Sequence, residues 1–150
     1  MSDDSLPRHE VSTSGCTWIV SEPGERWRRA VDRVAPPLFG DRFERLCVGP
    51  GEIVETVQRR LPSAARRVVV LCELPLEHPG DSLAAIARCA ALDRPPLQLI
   101  AVPQELPAEG PAELELAAGL RLLGAAAVLR HPEQLWQFAR LVARYAKTDA

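Results

Sequence analysis

The octapeptide RVVVLCEL, from Arg67 to Leu74, places four aliphatic residues in succession with no polar residue to mark a solvent side. A strand with that pattern is covered on both faces, as in a parallel sheet enclosed by helices. It predicts the central strand. Three further apolar runs, Cys16 to Val20, Leu97 to Val102 and Ala125 to Leu129, and the more polar Phe43 to Val48 are bounded by Pro, Gly or helix-period segments, and each reads as another strand.

The segments between them carry helical periodicity. From Gly24 to Ala35, Trp27, Ala30, Val31 and Val34 recur at i, i+3, i+4 and i+7, with Arg26, Arg28, Arg29 and Asp32 opposite as a solvated face. Ile53 to Leu61 predicts a second helix with Ile53, Val54, Val57 and Leu61 inward. Asp81 is placed to cap a third, whose expected buried stripe is Leu83, Ile86, Ala87 and Ala90 and which stops before Pro95-Pro96. A fourth starts at Pro111, with Glu113 and Glu115 complementing its dipole, and ends at Gly124. The last runs from Glu133 to Lys147 with Leu135, Phe138, Ala139, Val142 and Tyr145 inward. Five strand-helix units of about 27 residues each predict an α/β fold, a doubly wound five-stranded parallel sheet.

A length of 150 residues with 47% hydrophobic content suits one domain, expected over residues 16–150 after a disordered segment at 1–15. Eighteen basic and twenty acidic side chains give a net charge of −2, which argues against nucleic acid as a partner. No apolar run has the length of a signal peptide core or a membrane span, so a cytoplasmic protein without membrane contact is expected. Cys16, Cys47, Cys72 and Cys89 form no C-x-x-C pair, so neither a disulfide framework nor a zinc or other metal site is expected. The wealth of Ala, Arg and Pro with little Lys has the flavour of a GC-rich bacterial genome.

In open α/β sheets, ligands lie beyond the carboxyl ends of the strands, near the switch in strand order. Those ends hold Ser21-Glu22, Cys72-Glu73, Val102-Pro103-Gln104 and Arg130-His131. His131 reads as a strand-end histidine tied to a backbone carbonyl, or as a ligand or pH sensor. Cys72 reads as a buried structural thiol, since no obvious base or Gly-rich turn follows it. Glu105 and Glu109 read as solvated charges of a Pro-rich loop. VGPGE at Val48 to Glu52 is too short a glycine signal for a phosphate or dinucleotide site, and no cofactor is expected.

From Thr17 to Ala146 the chain resembles the receiver domain of bacterial response regulators. "IVSEPGERW" looks like the first-strand motif, with Ser21 and Glu22 where that family has an acidic pair. "VVVLCELPLEHPG" is similar to the third-strand motif, whose phosphoacceptor Asp lies four residues before a Pro; here that position is Leu71. Pro103 or a neighbour stands at the switch hydroxyl, and His131-Pro132 in "LRHPEQL" at the Lys-Pro pair, whose proline is usually cis in the family. The resemblance therefore implies a degenerate, or pseudo-receiver, domain. Holding Mg²⁺ takes clustered carboxylates, and of these only Glu22 survives. Glu73, two residues past Leu71, leaves the strand on the same side and could imitate a charged acceptor.

The fourth helix is too apolar for one buried face. Leu114, Ala117 and Ala118 are expected inward, leaving Leu116, Leu120 and Leu123 as a surplus row, and Trp136 lies off the stripe of the last helix. These four residues nominate an interface on the face of helix four, strand five and helix five, the usual dimer or output surface of receivers. The function expected is a non-catalytic receiver-like protein-interaction module in signalling or regulation, binding a protein partner or forming a homodimer. The alternative is a flavodoxin-like small-ligand-binding protein or enzyme using the strand ends.

Overall fold

The computed structural model describes residues 15–61, 66–105 and 111–147. The expectations for residues 1–14 and for Glu109 lie outside the described residues. Strands β1 (Gly15–Ser21), β2 (Phe43–Cys47), β3 (Arg66–Glu73), β4 (Leu97–Ala101) and β5 (Ala127–Leu129) form one sheet in the order β2-β1-β3-β4-β5. Every pairing is parallel. This is the flavodoxin-like doubly wound topology. β3 is the middle strand, and Val68 through Cys72 are at most 1% exposed.

Helices α1 (Arg26–Phe39), α2 (Ile53–Arg60), α3 (Gly80–Ala90), α4 (Pro111–Leu123), α5 (Gln134–Gln137) and α6 (Ala139–Lys147) alternate with the strands. Strand alternation divides the core into two layers. On one face Trp18, Val20, Val69, Leu71, Leu99 and Leu129 pack with Trp27, Val31 and Val34 of α1, Leu135 of α5 and Val142 of α6. On the other, Ile19, Val68, Val70, Cys72 and Ile100 meet Ile53 and Val57 of α2, Ile86 and Cys89 of α3, and Leu120 of α4. Tyr145 anchors α6 to the central strand by donating its hydroxyl to the Val68 carbonyl at 3.0 Å. Among the described residues no helix is long and apolar enough to cross a membrane.

Several local expectations are corrected. α1 continues past Ala35 through Pro36 and Pro37 to Phe39. Two backbone donors are lost there, but Asp32 and Arg33, whose carbonyls they would have bonded, are solvent-exposed. Asp81 lies inside the first turn of α3 instead of capping it, because the cap position falls two residues earlier, at Pro79. The buried residues of α3 are Ser82, Ala85, Ile86 and Cys89; of the expected stripe only Ile86 is among them. An alanine-rich helix gives little contrast between faces, so small side chains allow either rotation. The last helix is broken at Phe138 into α5 and α6.

The larger correction concerns α4. Leu120 is 2% exposed and belongs to the core, with Leu116 packed beside it, whereas Leu114 is 70% exposed. Leu114 and Ala118 turn outward and Leu116 and Leu120 inward, while Ala117 is half-buried and Leu123, 37% exposed, stays outward as expected. Gly124, at φ +133°, ends the helix so close to α3 that a Cβ there would lie 2.6 Å from the Ala90 Cβ and 3.2 Å from Gln98 Nε2. That approach turns the Leu116–Leu120 row toward α3. The outward row is instead Leu114, Ala118 and Leu122, with Leu123 at its rim.

Candidate functional site at the carboxyl edge

The carboxyl ends of β1, β3 and β4 bring Glu22 and Glu105 within electrostatic reach of Glu73, with Arg26 and Trp27 of α1 beside it. Each group is set there by a local cause. Glu22 follows β1 and turns back over the start of α1, accepting the N–H of Trp27 at 3.0 Å and of Arg28 at 2.7 Å. A helix leaves its first N–H groups without intrahelical partners, and a carboxylate there also complements the dipole. Glu22 is therefore engaged as the cap of α1.

Leu71 pairs in register with Val20 and Leu99 and is fully buried in the α1-side core. It lies one turn of the pleat below the rim. Glu73, the last residue of β3, occupies the rim on that same side, its side chain 12% exposed and its Oε1 3.9 Å from Arg26 Nε. Burial pushes the Glu73 carboxyl above its usual range; Arg26 pulls it back, while Glu22 and Glu105 push it further up. The Arg26 guanidinium also lies over the Trp27 ring, 5.2 Å from its centroid. Arg26 is thus part of the rim, not of a purely solvated face as its helical position implied. The Trp27 indole N–H, buried and directed toward Glu73, closes no hydrogen bond of good geometry among the described residues, and neither does Arg26 Nη1.

On the other face of β3, Cys72 sits opposite Ser21 and near Ser82 of α3. Burial pushes its thiol up to about 11, so at neutral pH it stays protonated. Ser21 is 2% exposed and Ser82 fully buried; both belong to packing. Pro103, at the switch position, is buried.

His131 and Pro132 lie at the turn into α5. The peptide before Pro132 is trans, against the expected cis bond. Gln134 Oε1 accepts the N–H groups of both Arg130 and His131, the latter at 2.8 Å, so a capped turn leads into the helix with the isomer that X-Pro bonds ordinarily favour. The His131 ring is exposed and makes no hydrogen bond among the described residues; the expected tie to a backbone carbonyl is absent.

The structure thus gathers Ser21, Glu22, Leu71 and Glu73 along the β1–β3 ends and sets His131 and Pro132 beyond β5. Among the described residues no three His, Cys, Asp or Glu side chains are grouped to hold a metal ion. The sequence reading missed Arg26 as the partner of Glu73. Its only signal was position, because α1 opens directly after the rim loop. No family model, curated protein or solved structure matches the chain.

Proposed function

We propose that the chain is a non-catalytic, receiver-like protein-interaction module of bacterial signalling or regulation that works in the cytoplasm without being phosphorylated. One observation carries the reading. The outward row of α4 leaves Leu114 70% and Leu122 89% exposed, and Trp136 of α5 is 57% exposed. α4 and α5 cover opposite faces of the sheet and flank the edge strand β5, three residues long. Large apolar side chains left open around a sheet edge are a feature of protein-binding surfaces, and Trp is the side chain most enriched at their energetic centres. The occupant is a second protein, either another copy of this chain or a different partner. Leu120, first placed among the anchors, is core and has no part in this surface.

The carboxyl edge supports the unphosphorylated half of the reading. Leu71 fills the acceptor position as a core residue, Glu22 is committed to capping, and Glu73 has Arg26 beside it. Incubation with acetyl phosphate and Mg²⁺ should leave the intact mass unchanged; a stable phosphoryl adduct would overturn this half. Charged residues in place of Leu114 and Leu122 should dissolve the assembly.

A second reading, a small-ligand site at the strand ends, is favoured by the buried Arg26 Nη1 and Trp27 Nε1, which have no hydrogen-bond partner among the described residues. A small carboxylate or phosphate that raises the melting temperature of the wild type but not of Arg26→Gln would decide for it.

A further inference from the structure

Two buried donors at the carboxyl rim lack an acceptor among the described residues. Trp27 is fully buried, and its indole Nε1 is directed toward Glu73 without closing a hydrogen bond of good geometry. Arg26 Nη1, on the adjoining residue, is buried in the same condition. The guanidinium is held in place, because it lies over the Trp27 ring at 5.2 Å from the centroid. Glu73 does not satisfy it: Oε1 stands 3.9 Å from Arg26 Nε, an ion pair too long for a hydrogen bond. A buried N–H without an acceptor carries a desolvation penalty that a ligand oxygen would relieve. The way in lies past the Glu73 and Arg26 side chains, which are 12% and 28% exposed.

Charge decides what such a site takes. Facing Glu73 are Glu22 from the end of β1, Arg26 and Trp27 from α1 and Glu105 beyond β4, with the protonated Cys72 thiol next to it on its own strand. One cation among three carboxylates leaves no counter-charge for a dianion, and two N–H donors offer nothing to a cation. A single negative charge is accommodated once Glu73 is neutral, since two carboxyl groups in contact share a proton instead of both ionising. Burial and the two neighbouring glutamates already raise the Glu73 carboxyl above its ordinary range, which favours that proton. Resting on the small-ligand reading of this edge, we propose that the rim takes a small monocarboxylate, whose oxygens accept from Arg26 Nη1, from Trp27 Nε1 and from a Glu73 carboxyl that gains a proton as the ligand binds. One proton is drawn from solvent for each ligand bound and is returned on release. Occupancy of the edge is thereby coupled to pH.

The test uses the whole chain, with formate and lactate as probes, both ionised above about pH 5, against formamide, inorganic phosphate and chloride at equal ionic strength. Formate and lactate should raise the wild-type melting temperature beyond chloride, and formamide should not. Their apparent affinity should fall by up to about tenfold per pH unit above the folded Glu73 value, with net proton uptake on binding in weakly buffered solution. Arg26→Gln should lose the stabilisation. Glu73→Gln should keep it and lose its pH dependence, because the amide donates an N–H without gaining a proton; a purely structural Glu73 would not separate the two. Should a variant fail to fold, the wild-type pH profile and proton uptake still decide. Stabilisation by phosphate or formamide alone, or by the carboxylates without pH dependence, would overturn the inference and leave a ligand site at the strand ends. No effect of any probe beyond chloride, or an equal effect in a folded Arg26→Gln protein, would overturn the inference and the small-ligand reading together.

Discussion

The Glu22 carboxylate accepts the backbone N–H of Arg28 at 2.7 Å. With the Trp27 N–H at 3.0 Å on its other oxygen, it closes the open end of α1 from outside the helix. Glu25, the residue next to the first turn, makes no side-chain cap. Replacing Glu22 by Ala should therefore cost about 1 kcal/mol, the usual value of a lost N-cap, while Glu22→Gln retains an acceptor and costs less. Urea unfolding of the three proteins checks both the size and the order.

Glu73 carries a cost that pH can expose. Its folded pKa is raised, chiefly by burial, so the folded state holds that proton more tightly than the unfolded chain. The sign follows: its contribution to stability is full below the ordinary carboxylate range and is lost as pH rises through the folded value. Glu73→Gln should be at least as stable as wild type at pH 7, with the difference shrinking as pH falls below about 4. Melting curves across that range check it, and a variant that loses stability at pH 7 but not at pH 4 would show the Arg26 contact to be dominant.

Two glycines of the α4 region should respond in opposite directions. Gly124→Ala meets both a positive φ and a 2.6 Å approach to the Ala90 Cβ, so it should destabilise by about 2–4 kcal/mol. Gly119, inside the same helix, has open space where a Cβ would stand, and Gly119→Ala should stabilise by about 0.5–1 kcal/mol. Thermal melts of the two single variants are sufficient.

The sheet was legible because its inner strands are short, β-branched and apolar: the Val68–Leu71 run reads as a strand covered on both sides, and β3 is central. The helices were legible in place but less so in rotation. Trp27, Val31 and Val34 are bulky against a face of arginines, and α1 packs on that stripe. In α3 and α4, alanines and leucines lie all around, and rotation is decided by a tertiary contact, the approach of Gly124 to Ala90. No sequence period encodes that. At the rim, Glu22 and Glu73 could be placed at strand ends from the sequence, but the nearness of Arg26 to Glu73 needs β1 and β3 side by side with α1 folded back over them.

The most direct test of the interaction reading is sedimentation velocity of N-terminally labelled wild type and Leu114→Glu, Leu122→Glu, in buffer and in clarified lysate of the source cells, with a melting curve for each. Both leucines are exposed, so the double variant should melt within a few degrees of wild type, surface changes costing about 0.5 kcal/mol or less each. Wild type should sediment as a larger species in at least one of the two media, and the variant as a monomer in both. Identical sedimentation of the two proteins in both media, with intact folds, would contradict the assignment of this surface and with it the interaction module.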